Sequence, residues 1–323
     1  MKRIETRITQ QLGIRYPIVG APMFLWSKVP LVKAISQAGG IGMFPAMNYR
    51  NLDELDQALH QLEGLAYGVN IIANKAKRKE TLEYLALCKN HKTPVVVTSL
   101  GSPKEAIEIV HNYGGKVWCD VTDPEFAAKV AKYQPDALVG VIKGAGGHHG
   151  HLSADELIKQ LCDAYPDIPI LQGGKIADAK TFKDALERGA EGAYMGTRFL
   201  VASECATPHE YKQAILQAEA KDIVSTNIFS GAECTAIRTE SLEKLGIRLG
   251  FPWNQLIKVD VLKKYVRGYL FNRAPALLQQ GSGGNPYYQV FVAGEAVEMI
   301  NSVESTEKII EDLVKGYWQL KES

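Results

Sequence analysis

Cysteine is scarce in this chain of 323 residues: Cys88, Cys119, Cys162, Cys205 and Cys234 are odd in number and widely spaced. That scatter excludes a disulfide framework or a cysteine-built zinc cluster and suits reduced thiols. An excess of either charge is also missing. Lysine and arginine total 37 against 36 acids, a net charge of +1, with no block of like charge, which argues against nucleic acid as a partner. No apolar run approaches the roughly 18 residues of a membrane helix, and the stretch from Met1 to Arg7 leads into no apolar signal core. A cytoplasmic protein without a membrane partner is expected. Two nucleotide signatures are absent as well. No G-x-G-x-x-G follows the first apolar run, and Gly174-Lys175 is followed by Ile176 rather than Ser or Thr, so neither the dinucleotide fingerprint nor the triphosphate loop is present. What remains, 46% hydrophobic and 23% charged, is ordinary for a globular chain with a large core.

The apolar runs are short, and each is followed by a helical pattern. Ile18-Val19-Gly20-Ala21-Pro22-Met23 leads to a helical stretch that Ser27 is placed to cap and Gly39-Gly40 to stop. The alternation recurs with Ile41 to Phe44 and a helix from Leu52, Tyr67 to Ile72 and a helix around Leu82 to Cys88, then Val95 to Leu100 and a helix from Pro103. It continues with Lys116 to Val121 before Pro124, Ala137 to Ile142 before Ser153-Ala154-Asp155-Glu156, Ile168 to Gln172 before Asp178, and Gly192 to Met195 before Pro208. About eight βα units result, the number that closes a (β/α)8 TIM barrel. An open doubly wound α/β sheet uses the same units but places its phosphate turn after the first strand, whereas here the glycines gather after the sixth, seventh and eighth. The expected fold class is therefore α/β, with a barrel over residues 1–220.

Beyond about Ala220 the alternation stops and Gly, Pro and aromatics accumulate, in Phe251-Pro252-Trp253, Ala274-Pro275 and the run from Gly281 to Tyr288. With helical stretches around Val261 to Leu270 and Ser305 to Tyr317, residues 221–300 are expected to form a lid or small substrate subdomain, and 301–323 a helix packed on the barrel. Phe251, Trp253, Tyr287 and Tyr288 either line a substrate pocket or pack the lid.

Three glycine-bearing junctions carry the chemistry: Gly146-Gly147-His148-His149-Gly150, Gly173-Gly174 and Gly196-Thr197, roughly one βα unit apart. The second and third expose backbone N–H groups just ahead of helices, where an anion is favoured, and Thr197 adds a hydroxyl and Arg198 a possible charge partner. A phosphorylated mononucleotide fits them; the competing reading is that these glycines only make tight turns. His148, presented by a glycine frame, is the candidate catalytic residue, since histidine gains or loses a proton near neutral pH. His149 and His151 are lesser candidates. A flexible loop with no cysteine and no carboxylate before Asp155 is a poor zinc frame, so no metal is assigned. Asn70 ends the third apolar run, where it can hydrogen-bond a flat heterocycle, and Ala21-Pro22-Met23 can lay amides and a thioether along its face.

The series Gly20-Ala21-Pro22-Met23, Ala38-Gly39-Gly40-Ile41-Gly42, Gly68-Val69-Asn70, Gly146-Gly147-His148-His149-Gly150, Gly173-Gly174 and Gly196-Thr197-Arg198-Phe199 resembles the nitronate monooxygenases, formerly called 2-nitropropane dioxygenases. The resemblance spans about residues 14–300 and includes Tyr211-Lys212 and Val292-Ala293-Gly294-Glu295, where that family usually has Ala-Gly-Gln. The same motifs are similar to those of FMN-dependent enoyl-acyl-carrier-protein reductases. The resemblance implies an FMN-containing (β/α)8 barrel in which Met23, Asn70, Gly173, Gly174, Gly196 and Thr197 contact FMN and His148 is catalytic. Ala21, Pro22, Gly146 and Gly147 complete the candidate cofactor contacts. Two departures stand out: Lys143-Gly144 where relatives are often acidic, and Lys175 directly after the glycine pair. A lysine near a flavin favours an anionic substrate or an anionic reduced flavin.

The expected reaction is oxidation of an alkyl nitronate, or a nitroalkane, with O2 to a carbonyl compound and nitrite. The alternative is reduction of an enoyl thioester or quinone by NAD(P)H, which a barrel can bind without a dinucleotide fingerprint. A third reading, a flavin- or phosphate-binding barrel with a regulatory role, requires no turnover at all.

Overall fold

The computed structural model describes residues 2–73, 77–259, 261–263, 265–270, 273 and 290–322. Its strands are β1 (Ile18–Gly20), β2 (Ile41–Pro45), β3 (Tyr67–Ile72), β4 (Val95–Ser99), β5 (Lys116–Val121), β6 (Ala137–Val141), β7 (Gly147–His148), β8 (Ile170–Gly173), β9 (Gly192–Met195), β10 (Ile223–Thr226) and β11 (Cys234–Ile237). Eight of them close a parallel barrel in the order β1-β2-β3-β4-β5-β6-β8-β9, with β9 pairing back onto β1 through Tyr194 opposite Val19. The (β/α)8 fold read from the alternation is thus the observed one.

Strand periodicity decides what points inward. Successive side chains face opposite sides of a strand. Val19, Met43, Val97, Trp118, Val139, Leu171 and Tyr194 pack together inside the barrel, while Val69, Val96, Val117 and Leu138 face the surrounding helices. The next inward positions along each strand open at the C-terminal mouth: Asn70 on β3, Ser99 on β4 and Asp120 on β5. At the opposite end, Ile8 of the short helix Arg7–Leu12 and the following Ile14 close the interior. That helix is only six residues long and has no apolar stripe wide enough to read from sequence.

The helix starts follow their capping chemistry. Ser153 and Glu156 form a capping box for Ala154–Ala164, Asp178 and Thr181 do so for Ala179–Glu187, and Asp123 caps Pro124–Ala131. Ser27 does not cap Val29–Gln37; Lys28 holds that position without a side-chain bond. The Ser27 hydroxyl instead accepts from Met23 N at 2.7 Å and donates to Met23 O at 3.0 Å, folding the turn after β1 on itself.

The chain beyond the barrel returns twice to it. β10 and β11 form an antiparallel pair, and β11 continues the sheet onto β7, with Cys234 opposite His148 and Thr235 opposite Gly147. The C-terminal helix Thr306–Glu322 buries Ile309, Ile310, Leu313, Val314 and Tyr317 in the cluster that holds Phe182 and Ala185 of the helix Ala179–Glu187. Ala274-Pro275 and the glycine-rich run Gly281 to Tyr288 lie outside the described residues.

Candidate active site

A cavity of about 630 Å³ opens at the C-terminal ends of the barrel strands. Every strand of the barrel contributes to its wall at or just beyond its last residues, including Ala21, Pro45, Asn70, Ser99, Asp120, Val141, Gly173 and Met195. This is where a (β/α)8 barrel collects chemistry. All eleven candidate residues border it: Ala21, Pro22, Met23, Asn70, Gly146, Gly147, His148, Gly173, Gly174, Gly196 and Thr197.

The glycine junctions after β8 and β9 lie side by side, because those strands are neighbours and Gly174 N donates to Tyr194 O at 3.4 Å. Gly174 has φ +107°, and a Cβ there would sit 2.5 Å from Ala145 Cβ, so no other residue fits without displacing the His148 loop. Gly196 opens the short turn Thr197–Leu200, whose first amides have no intrahelical acceptor. Met23 stands close by, its Sδ 3.8 Å from where a Gly196 Cβ would project. Arg198 does not join this cradle. Its guanidinium is buried, donating to Ser302 O at 3.0 Å and pairing with Glu304 at 2.5 Å, so the side chain braces the C-terminal tail instead.

The tail element Val292-Ala293-Gly294-Glu295 is tied to the same place. Tyr211 donates to Val292 O, Gly294 N donates to Thr197 Oγ1 at 3.1 Å, and Glu295 N donates to Gly144 O at 2.9 Å. Lys175 faces the cavity and pairs with Glu295, whereas Lys143 is absent from its lining.

His148 is held by backbone as well as side chain. Its strand pairs with β11, Thr235 Oγ1 donates to Ala145 O at 2.6 Å just before the frame, and His148 Nε2 lies 2.6 Å from Ser230 Oγ. The residue borders the cavity and is exposed to it. Desolvation by the surrounding cavity wall, then the neighbouring His149 and Arg267, lower its pKa and lean the ring toward its neutral form. His149 is committed to structure, with Nδ1 2.7 Å from Gly150 O and Nε2 3.0 Å from Ser225 Oγ. His151 is exposed and outside the cavity wall.

A chain of polar side chains crosses the floor. Asn70 Nδ2 donates to Ser99 Oγ at 2.7 Å, and Ser99 Oγ donates to Asp120 Oδ2 at 2.6 Å. Asp120 Oδ1 is buried without a partner, and burial raises its carboxyl pKa to about 6 despite the Ser99 bond. Ser99, Asp120 and Ser230 were not singled out in the sequence. The strand-end position could have marked the first two; nothing local marks Ser230, 82 residues from the histidine it touches. Of the aromatics, Trp253 stacks on Tyr269 and Phe251 is exposed, neither in the cavity wall; Tyr287 and Tyr288 lie outside the described residues. Burial raises the thiol pKa of all five cysteines; of these only Cys234 borders the cavity, and burial pushes it up to about 12.

A closed parallel barrel with glycine junctions and a histidine at its mouth defines an α/β barrel whose candidate site lies at the C-terminal ends of its strands. A family model for nitronate monooxygenase matches residues 82–316, and the chain belongs to that family. As a member it is a flavin-dependent oxidoreductase. It is 27% identical to (3aS,4S,5R,7aS)-5-hydroxy-7a-methyl-1-oxo-octahydro-1H-indene-4-carboxyl-CoA dehydrogenase of Mycobacterium tuberculosis, over 97% of this chain and 96% of that one. It is also 27% identical to a probable nitronate monooxygenase of Staphylococcus saprophyticus, over 75% and 81% of the two chains. Among solved structures it resembles FabK from Thermotoga maritima, with a TM-score of 0.85, 26% identity and 99% and 98% coverage. Nitroalkane oxidase from Streptomyces ansochromogenes, at 22% identity and a TM-score of 0.79, shares the fold. Among the described residues no helix is long and apolar enough to cross a membrane, and no cluster of metal-binding side chains occurs.

Proposed function

We propose that the protein holds FMN and oxidises alkyl nitronates with O2 to a carbonyl compound and nitrite. The observation that carries this reading is the sharing of one cavity by a glycine cradle and a hydrogen-bonded, neutral-leaning histidine. The residues present fit the cofactor. Gly173, Gly196 and Thr197 bring backbone with little side chain to the cavity for a phosphate, Gly174 lets that junction pack against Ala145, and Ala21, Pro22, Met23, Asn70, Gly146 and Gly147 supply polar edges and an apolar face for a flat ring. When bound, FMN supplies the electron transfer between substrate and O2.

The chain's own residues do the rest. Ser230 fixes the plane of the His148 ring, and the neutral ring donates to or accepts from the substrate's polar head, or takes a proton from a neutral nitroalkane. Leu25, Trp26, Phe229 and Val292 give the alkyl part an apolar wall that displaces water. In this reading residues 1–220 are the FMN barrel, 221–300 the lid that completes the substrate side, and 301–323 a brace on the barrel exterior.

The test is anaerobic mixing: a nitronate should bleach the flavin and NADH should not, and His148→Asn should lower turnover while keeping FMN bound. Rapid bleaching by NADH would overturn it in favour of NAD(P)H-dependent reduction of an enoyl thioester or quinone. One observation favours that second reading. By sequence the CoA dehydrogenase, named for a thioester substrate, aligns with 97% of the chain and the probable nitronate monooxygenase with 75% of it.

A further inference from the structure

Lys175 follows Gly173-Gly174 with φ +55°, in the left-handed region that a side chain enters only at a cost. Its ammonium reaches the carboxylate of Glu295 at 2.5 Å, and both side chains remain partly exposed. An ion pair of that exposure adds little to stability, so the pair does not account for a strained lysine at this position. The neighbouring chain is built around it. Gly144 has φ +80°, and a Cβ there would sit 2.5 Å from both Lys175 Cε and Glu295 Oε1. Glu295 is itself placed by its backbone bond to Gly144 O, and Gly294, next to it, bonds Thr197 Oγ1. The cation therefore stands on the cavity wall where the junctions after β8 and β9 meet the tail element, with a carboxylate holding it in place.

We propose that Lys175 is a phosphate-selecting residue: its ammonium engages the monoester phosphate of the bound flavin, and Glu295 holds the ammonium when no phosphate is present. This rests on the FMN reading above. A dianionic phosphate outcompetes a single carboxylate for an ammonium, and Glu295, left nearby, weakens the phosphate's hold by like-charge repulsion. The side chain then discriminates FMN from riboflavin, which differ only in that group.

The experiment titrates flavin-stripped full-length protein with FMN and with riboflavin, reading quenching of flavin fluorescence at several ionic strengths. Lys175→Asn and Lys175→Gly both suit a left-handed backbone and remove the charge. Each should weaken FMN binding about tenfold or more, leave riboflavin binding unchanged and flatten the salt dependence for FMN. Glu295→Gln should tighten FMN binding and not that of riboflavin. Wild-type preference for FMN that survives in both Lys175 variants overturns the proposal and leaves the FMN reading intact. Wild-type binding of both flavins with equal affinity also overturns it. Binding of neither flavin by the wild type overturns the FMN reading, and the proposal with it.

Discussion

His148 Nε2 lies 2.6 Å from Ser230 Oγ, and the two residues come from segments joined by the small sheet outside the barrel. Ser230 Oγ also accepts from Ala232 N at 3.3 Å, so the hydroxyl has a fixed place from which to orient the ring. Ser230→Ala should lower kcat about tenfold, the loss of one hydrogen bond that aims a catalytic group, with FMN content unchanged. Ser230→Thr should restore most of it. Steady-state kinetics with a nitronate checks both, and unaltered turnover in the alanine variant would refute the positioning role.

Gly174 and Gly64 separate two costs of glycine replacement. Both have positive φ, +107° and +79°, but a Cβ at Gly174 collides with Ala145 while one at Gly64 meets nothing within 4 Å. Gly64→Ala should cost about 1 kcal/mol of stability and keep the flavin. Gly174→Ala should push the His148 loop outward and lose the flavin, seen as a colourless protein that still melts cooperatively. Equal flavin content in the two variants would contradict this placement.

The barrel was legible in the sequence because each βα unit carries a short apolar run of its own, and several add a cap such as Ser153 or Asp178. The cavity-lining candidates were legible for a related reason, since residues at strand ends converge at one face of any such barrel. Ser27 misled because a hydroxyl just before a helix can bond either forward to the helix or back to its own turn, and here Met23 takes it. Arg198 misled because adjacency to Thr197 says nothing about direction, and the partner it found, Glu304, lies 106 residues away. The pairing of β7 with β11 was hidden by its length: two residues, one of them glycine, leave no periodicity to read.

Asp120 gives the site a pH signature. Burial raises its carboxyl from 3.8 to about 6, so between those values the folded state holds a proton the unfolded state has lost. Stability from this group therefore rises as pH falls from above 6 toward 4, and the cost of burying the carboxylate is full at neutral pH and above. Asp120→Asn keeps the shape and removes the ionisation. The variant should melt higher than wild type at about pH 8, with the difference shrinking by a few degrees at about pH 5. Calorimetry at both values tests it, and a difference independent of pH would show that Asp120 is not the titrating group.

Arg198 and Glu304 provide the last separation, between bracing the tail and binding phosphate. Burial lowers the Arg198 pKa while Glu304 raises it, the pattern of a cation desolvated and then compensated. Glu304→Gln leaves that cation buried without its counter-charge. The loss should be about 2–3 kcal/mol, toward the lower end for broken buried pairs because the carboxylate is partly exposed. The C-terminal helix begins two residues later, and Ser203 N donates to Glu304 O at 2.8 Å, so the lost stability should appear first as faster proteolysis of that helix. FMN affinity should not change, because the guanidinium points to Ser302 and Glu304 and not to the glycine cradle. A drop in FMN affinity in this variant, with the melting temperature held, would return Arg198 to the phosphate site.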